Sequence, residues 1–302
     1  MDGIVNILKP PGMTSHDVVA FVRRCTKIKK VGHTGTLDPG AVGVLPICIG
    51  KATKVSDLIM AEEKEYRAEV KLGVTTDTQD SYGEILEQKK VIADEQSIRN
   101  VIAGFIGTIE QVPPMYSAIK INGQKLYELA RQGIEIERKS REVIIHDIKI
   151  IKIDLENNRV LIHVKCSKGT YIRTLCYDIG EKLGCGAHMS FLLRTRSGQF
   201  DIDGTITVEE MEQHSSEGTM EQLLFPVDSV FESYNRISVD TAVETKIRNG
   251  NEIPIDRLKS ENKYSLGDTL RVYNSNSDFL CLSRIENNKD GNTVIKLVKS
   301  FY

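Results

Sequence analysis

The segment from residue 32 to residue 54, GHTGTLDPGAVGVLPICIGKATK, constrains the fold more than any other part of the chain. Its five glycines and two prolines force tight turns and let the backbone come close to another part of the molecule. The segment lacks the GxxxxGKS/T and GxGxxG spacings, so it fits a nucleotide-phosphate cradle poorly. Asp38 precedes Pro39, which favours an extended conformation, and Gly40 follows. Taken alone, this pattern also fits a simple turn in which Asp38 bonds its own backbone.

Short β-type runs alternate with helix-type stretches along the first two hundred residues. The β-type runs lie at residues 64–74, 141–156 and 159–167, and the helix-type stretches at 16–27, 95–107 and 171–183. This alternation predicts a mixed α/β sheet domain, and Thr207 followed by Glu210 predicts a helix start through a capping box. After residue 233, short strands separated by Gly, Asn and Asp turns predict a small β-barrel-like module. We therefore expect domains at residues 1–232 and 233–302.

The charge of the chain is small overall but unevenly distributed. A net charge of −2 argues weakly against a nucleic-acid binder, because phosphate contacts need Lys and Arg. Residues 1–60 carry +4 and residues 120–200 carry +6, whereas residues 61–119 carry −5 and residues 201–302 carry −7. Two basic segments could thus contact nucleic acid, although imbalances of this size also occur on ordinary solvated surfaces.

The cysteines and the apolar runs narrow the class of protein further. The six cysteines form no CxxC pair and have no His partners at metal-ligand spacing, so they are expected to be reduced packing residues. Neither a signal peptide nor a run of about 18 apolar residues is visible, which predicts a cytoplasmic protein. No repeat of 20 to 50 residues is present, which excludes solenoids.

Six blocks of sequence, in order, resemble the motifs of the TruB family of tRNA pseudouridine-55 synthases. They are KPPGMTS (9–15), GHTGTLDPGAVGVLP (32–46), KEYRAEVKLGVTTDTQDSYG (64–83), QVPPMYSAIKINGQKLYELARQG (111–133), CSKGTYIRTL (166–175) and GCGAHMSFLLRTRSGQF (184–200). The resemblance implies a largely antiparallel mixed sheet with a thumb-like RNA-clamping insertion at about residues 111–140. The C-terminal segment resembles, more weakly, the PUA domain of bacterial members. Leu193 stands where many members have Arg, a departure that affects one RNA contact and leaves the chemistry untouched.

The same resemblance implies which residues form the site. Asp38 would be the catalytic carboxylate. The substrate pocket would be formed by Tyr66, Arg173, Leu192 and Lys9. The RNA would be bound by His33, Lys120, Lys125 and Arg131. Taken singly, each of these has a plainer role, such as a packed tyrosine or a solvated surface lysine.

The chemistry that the resemblance implies needs no cofactor and no metal. Pseudouridine formation breaks the bond from N1 of uracil to C1′ and rejoins the base through C5, with no redox change. Glycosidases use two carboxylates to protonate a leaving group and activate water, but here the base stays bound, so one carboxylate suffices. That carboxylate could add to the sugar or to the base, or could remove a proton to give a glycal. A nearby cation such as Arg173 is expected to keep it ionised in an enclosed pocket.

The implied partner is the T-arm stem-loop of tRNA. A uridine inside the folded loop must be flipped out, at a cost of a few kcal/mol, and His33 would stack where the base had been. Recognition would then rest mainly on loop shape and extruded bases. We expect a monomer that needs no protein partner and contacts no membrane.

Two other functions remain open at this stage. One is an RNA-binding protein that folds tRNA without turnover, against which Asp38, Tyr66 and Arg173 together argue. The other is a guide-dependent synthase of the dyskerin type, against which the thumb-like segment argues.

Overall fold

The structure is a computed structural model that describes residues 1–121, 123–258 and 264–302. The helices are α1 Ser15–Thr26, α2 Ser56–Ala61, α3 Glu95–Ala103, α4 Leu126–Ala130, α5 Ile172–Lys182, α6 Val208–Glu217 and α7 Thr241–Arg248. The strands up to residue 201 are β1 Gly3–Lys9, β2 Val31–His33, β3 Val42–Ile49, β4 Lys64–Leu72, β5 Val74–Thr76, β6 Ile85–Gln88, β7 Gly107–Gln111, β8 Lys120–Ile121, β9 Gln124–Lys125, β10 Arg141–Asp154, β11 Arg159–Cys166, β12 Ala187–Ser197 and β13 Phe200–Asp201. The remaining strands are β14 Asn235–Ser238, β15 Ile253–Pro254, β16 Thr269–Tyr273, β17 Phe279–Asn287 and β18 Thr293–Ser300.

A large mixed sheet is the main β-structure of the chain. Its strand order is β1-β3-β12-β4-β11-β10-β7, with β2 beside β3 and β13 beside β12. The pairs from β12 through β4, β11 and β10 to β7 are antiparallel, whereas β3 and β12 are parallel. The predicted fold class, a mixed and largely antiparallel sheet with helices, is confirmed.

The alternation of side chains along β4 shows why this sequence forms a central strand. Every second residue of β4 is buried, from Lys64 and Tyr66 to Leu72. A strand with a period of two places these side chains on one face of the sheet. There Tyr66, Ala68, Val70 and Leu72 join an apolar cluster to which β11 and α5 also contribute.

The helix boundaries follow local signals in the sequence. Thr14 and Asp17 form a capping box at the start of α1, and Thr207 and Glu210 form the predicted one at the start of α6. The stretch predicted at 95–107 ends earlier than expected, since α3 stops at Ala103 and β7 begins at Gly107.

The chain divides into two compact units. One comprises Val5–Cys48 and Ser56–Leu224, and the other comprises Met1–Ile4, Ile49–Val55 and Phe225–Tyr302. The expected boundary between residues 232 and 233 stays a prediction.

The C-terminal unit has its own core and its own sheet. The order β14-β16-β17-β18-β15 gives a half-barrel sheet, in agreement with the β-barrel-like module that the turns predicted. Val243 and Ile247 of α7 join its apolar cluster. The Lys54 ammonium donates to the Ser300 carbonyl at 2.7 Å, which ties residues 49–55 to this unit. No helix of residues 1–121, 123–258 and 264–302 is long and apolar enough to cross a membrane.

Gly43 provides a test of the β3–β12 pairing. Its φ of +116° is unfavourable for other residues, and an added Cβ would overlap the carbonyl of Arg194 in the paired strand. Gly43→Ala should therefore lower the free energy of unfolding by at least about 2 kcal/mol, as measured by urea denaturation. Gly32→Ala is the control, because a Cβ there meets no atom within 4 Å. Equal effects of the two substitutions would contradict this account of the pairing.

Candidate active site

Asp38 lies on the connection between β2 and β3, in a tight turn. The Ala41 N–H donates to the Asp38 carbonyl at 3.0 Å, so the Asp-Pro-Gly segment is a turn, as its sequence allows. The preceding residue, Leu37, is held by Ser15 of α1, whose hydroxyl accepts from the Leu37 N–H at 2.9 Å. The turn is therefore fixed through its backbone, and the Asp38 carboxylate projects away from it toward another part of the unit.

The Asp38 carboxylate is paired with Arg173, the second residue of α5. The Arg173 Nε lies 2.9 Å from Asp38 Oδ2, and one terminal nitrogen lies 3.4 Å from Oδ1. The guanidinium is buried, with a side-chain exposure of 6%, whereas the Asp38 side chain is 37% exposed. The structure thus brings together the two residues that the sequence predicted to pair, and it leaves the carboxylate partly exposed.

The remaining donors of Arg173 tie two further segments to the pair. They donate to the Thr78 carbonyl at 3.0 Å and to the Tyr116 carbonyl at 2.8 Å. Gln111 fixes the start of α5, because its side chain both accepts from the Tyr171 N–H and donates to the Tyr171 carbonyl. Arg173 is therefore held in one orientation by groups from separate parts of the chain.

Asp80 is a member of this network that the sequence analysis did not select. Its Oδ2 lies 3.8 Å from Arg173, and its Oδ1 accepts from the Thr78 hydroxyl at 2.6 Å and from the Tyr82 N–H at 3.0 Å. The signal for it was the polar run TTDTQD within the matched block at 64–83, where a largely buried carboxylate needs a partner.

Opposing electrostatic effects act on Asp38. Burial raises the pKa of its carboxyl group, and the like charge of Asp80 raises this pKa further, while Arg173 and Lys9 lower it. The net direction is upward. The expected cation is present, but within the protein alone it offsets only part of the effect of burial.

Tyr66 is a buried member of the main apolar cluster. This side chain is 9% exposed and belongs to the same cluster as Leu37, Ala41 and Leu192. Burial raises the pKa of the Tyr66 hydroxyl, and its bond from the Arg194 guanidinium opposes that rise. The sequence-predicted residues Tyr66 and Leu192 thus share a cluster with Leu37 and Ala41, which lie on either side of Asp38 in the sequence.

Arg194 is a second residue that the sequence analysis missed. It is 1% exposed and donates to the Val44 carbonyl at 2.7 Å and the Gly35 carbonyl at 3.2 Å. It thus spans the two ends of the loop that carries Asp38. The sequence analysis singled out the neighbouring Leu193 instead. The alternation of side chains along β12 could have identified Arg194, because it places this residue on the buried face.

Lys9 is buried rather than exposed on the surface. Its ammonium donates to the carbonyls of Pro10 at 2.9 Å and Pro39 at 3.2 Å, and the latter residue follows Asp38 directly. Burial lowers the pKa of Lys9 to about 8, the Asp38 charge opposes this, and the Arg194 charge adds to it.

The residues predicted to bind RNA lie in two places. His33 ends β2, and its ring lies edge-on to that of His16 with the centroids 5.1 Å apart. Burial lowers the pKa of His33 to about 4, with the neighbouring His16 and Arg194 adding to the effect, so the ring is neutral at pH 7. The other three residues, Lys120, Lys125 and Arg131, lie on or beside β8, β9 and α4.

Lys125 and Arg131 contact the Tyr127 ring, with 5.3 Å and 5.4 Å from their charged groups to the ring centroid. Lys120 is exposed on β8, opposite Lys125. Within residues 1–121, 123–258 and 264–302, no hydrogen bond or ion pair joins these three cations to Asp38.

Comparison with known proteins identifies the family. The model of the TruB family pseudouridylate synthase N-terminal domain matches residues 23–172, and the tRNA pseudouridylate synthase B C-terminal domain matches residues 173–232. The chain is 49% identical over 302 residues to the tRNA pseudouridine synthase B of Alkaliphilus oremlandii, covering 100% of this chain and 99% of that protein. This chain belongs to the TruB family. It is therefore a pseudouridine synthase at the family level, as the six sequence blocks indicated.

Other similar proteins agree with this assignment. The tRNA pseudouridine synthase B of Clostridium acetobutylicum is 50% identical over 298 residues, which cover 99% of this chain and all of that one. Among solved structures, the chain is similar to one in the crystal structure of a Cbf5-Nop10-Gar1 complex. The TM-score is 0.71 and the identity is 28%, over 99% of this chain and 85% of that one.

Arg173→Lys would keep the positive charge and lose the planar fork that bonds Asp38, Thr78 and Tyr116 together. We expect kcat for uridine isomerisation to fall by about 100-fold while KM for the RNA changes less than about threefold. Arg99→Lys, an exchange at an exposed ion pair on α3, is the control and should leave both constants unchanged. A rise in KM as large as the fall in kcat would instead indicate that Arg173 contacts RNA phosphate.

Proposed function

We propose that this chain converts uridine 55 in the T loop of tRNA to pseudouridine, acting alone. The observation that carries the proposal is the Asp38 carboxylate, which pairs with a buried Arg173 yet remains 37% exposed. Such a group is held in place but remains accessible to a base that enters the pocket. The curated relatives that share about half of their residues with this chain, over nearly their full length, are named tRNA pseudouridine synthase B. This name supports tRNA as the substrate.

The ionised Asp38 carboxylate would begin the reaction. It would add to C1′ or to the base, or would take a proton from the sugar, and in each case the N1 to C1′ bond breaks while uracil stays bound. Uracil then turns and C5 bonds to C1′, which releases the carboxylate from its covalent bond or, in the glycal route, is accompanied by return of the proton to the sugar. C5 then loses its proton and N1 gains one, so the reaction is an isomerisation. The two-point bond to Arg173 supports this role, because it fixes the carboxylate in one orientation and favours its charged form.

Tyr66 would stack on the uracil and accept the proton from C5 late in the reaction. Its position in the apolar cluster supports stacking, and the bond from Arg194 would stabilise a phenolate during the transfer. Leu192 would close the pocket from the side, and Lys9 would support the turn through Pro39.

Access to the uridine would require base flipping. His33 is half-buried and neutral, so its ring can enter the gap in the T loop without carrying a charge among the bases. Lys120, Lys125 and Arg131, in the thumb-like segment at about 111–140, would bind phosphates of the stem-loop. The excess of basic residues in 120–200 supports this division between base and phosphate contacts.

The alternatives differ in what they require. A guide-dependent synthase would need partner proteins, and the similarity to a chain of the Cbf5-Nop10-Gar1 complex favours that candidate. The higher identity to proteins named tRNA pseudouridine synthase B favours the tRNA-modifying enzyme over that candidate. We propose that it acts alone, as a monomer in the cytoplasm. A protein that only folds tRNA would have no use for the paired Asp38. Incubation of the purified chain with a bare tRNA transcript, followed by mapping of pseudouridine, distinguishes the stand-alone synthase, which modifies uridine 55, from the other two, which leave the transcript unmodified.

Asp38→Asn preserves the shape of the side chain and removes its negative charge, so neither nucleophilic nor basic action is possible. We expect release of tritium from C5-tritiated uridine in tRNA to fall by at least about 10⁴-fold while the dissociation constant for tRNA stays within about threefold. Asp57→Asn, at an exposed position of α2, is the matched control and should retain wild-type turnover. Substantial turnover by the Asp38 variant would refute the assignment of this residue.

We further propose that residues 233–302 form a PUA-like RNA-binding domain that contacts tRNA outside the T arm. Because residues 201–302 carry −7, this contact would be local, and the exposed Lys246 on α7 is the residue proposed for it. Lys246→Glu should weaken binding of whole tRNA about three- to tenfold and leave binding of a T-arm hairpin unchanged. Lys289→Glu, the same charge change at another exposed site of this unit, is the control. Equal losses on both RNAs would contradict the proposal.

A further inference from the structure

Tyr82 has an unusual environment for an aromatic residue. Its side chain is 78% exposed, which is the largest exposure of any aromatic residue among residues 1–121, 123–258 and 264–302. A single exposed aromatic needs no explanation by itself. The position of this ring close to Asp38 does need an explanation.

The Tyr82 ring lies against Gly40, two residues beyond Asp38. A Cβ at Gly40 would overlap the Cε2 edge of the ring and would lie 2.5 Å from Cζ and from the hydroxyl oxygen. The φ of Gly40 is not in the left-handed region, so the backbone does not require glycine there. Glycine at this position instead makes room for the ring directly beside the turn that carries the catalytic carboxylate.

The loop that carries Tyr82 is fixed to the same network. The Tyr82 N–H donates to Asp80 Oδ1 at 3.0 Å, and the other oxygen of Asp80 faces Arg173, which binds Asp38. The ends of the loop are closed by Asp77, whose carboxylate accepts from the Glu84 N–H at 2.8 Å. Contacts through Asp80 and Arg173 therefore connect the loop that carries the ring to the Asp38 carboxylate.

The charges around the ring indicate what it can bind. The same loop contributes the carboxylates of Asp77, Asp80 and Glu84, which repel phosphate. The exposed ring face is left as the attractive surface. A nucleobase, neutral and flat, fits this combination, because base stacking on an aromatic side chain is worth about 1–3 kcal/mol.

We propose that Tyr82 is a stacking platform for a base that adjoins the flipped uridine, outside the pocket in which Tyr66 holds the uracil. The inference rests on the proposed function, since it takes a flipped RNA base as the substrate at Asp38. Tyr82 is a binding residue in this account and takes no part in bond making or breaking.

Steady-state kinetics on a T-arm hairpin give the first test. Tyr82→Ala should lower kcat/KM about tenfold, mainly by raising KM, because the contact forms on binding and persists through the reaction. Tyr82→Phe keeps the ring and should restore KM to within about twofold of wild type. If Tyr82 only packs on Gly40 to stiffen the turn, the loss falls on kcat and the melting temperature drops, and either result overturns the proposal.

A tryptophan at position 82 gives a readout that does not depend on turnover. The chain contains no tryptophan, so Tyr82→Trp introduces a single indole whose fluorescence reports on stacking. We expect at least about 50% quenching when the hairpin binds and about wild-type kcat/KM. Ile92→Trp, at a position that is 84% exposed, is the matched control and should show little quenching.

The two tests separate this inference from the function on which it rests. If wild-type protein fails to convert the hairpin uridine, the proposed function fails, whatever the fluorescence shows. If wild-type protein is active but Tyr82→Ala leaves KM unchanged and the indole at position 82 is not quenched, the inference about Tyr82 alone is wrong.

Discussion

The buried guanidinium of Arg173 is the interaction on which the rest of the site depends. A group with five donors and almost no contact with water needs acceptors for them, since each unsatisfied polar group costs about 1–3 kcal/mol. Here the acceptors come from the turn at Asp38, from the backbone at Thr78 and from Tyr116 at the start of the thumb-like segment. One cation therefore bonds to the carboxylate that is proposed to react, to the loop beside it and to the segment proposed to bind RNA.

The elements with strong periodicity could be predicted from the sequence. The alternation along β4, β10 and β11 and the capping box of α6 identified these elements to within a few residues. The end of α3 was misplaced, because Gly104 ends the helix and the apolar residues after it lead into a strand. The pairing of Asp38 with Arg173 followed from the family resemblance and could not have come from periodicity, since 135 residues separate the two.

What the sequence analysis missed depends on tertiary burial. Asp80 and Arg194 become important only because the fold places them against groups far away in the chain. Lys9, which the resemblance assigned to the pocket, is the last residue of β1 and is buried, although a lysine usually keeps its charge in water. The pKa of Asp38 is raised, whereas a nearby cation alone would have lowered it, because burial and Asp80 act in the other direction.

The parallel pairing of β3 with β12 has a consequence for how the enzyme is made. Arg194 and Val44, which meet across this pairing, are 150 residues apart in sequence, so the contact has a high contact order and forms slowly. Synthesis proceeds from the N-terminus, and the turn at Asp38 leaves the ribosome long before β12 has been translated. The nascent chain therefore carries the Asp38 carboxylate for most of translation without the strand that holds the turn in shape. The chemistry proposed for Asp38 can begin only after about two thirds of the chain has been made.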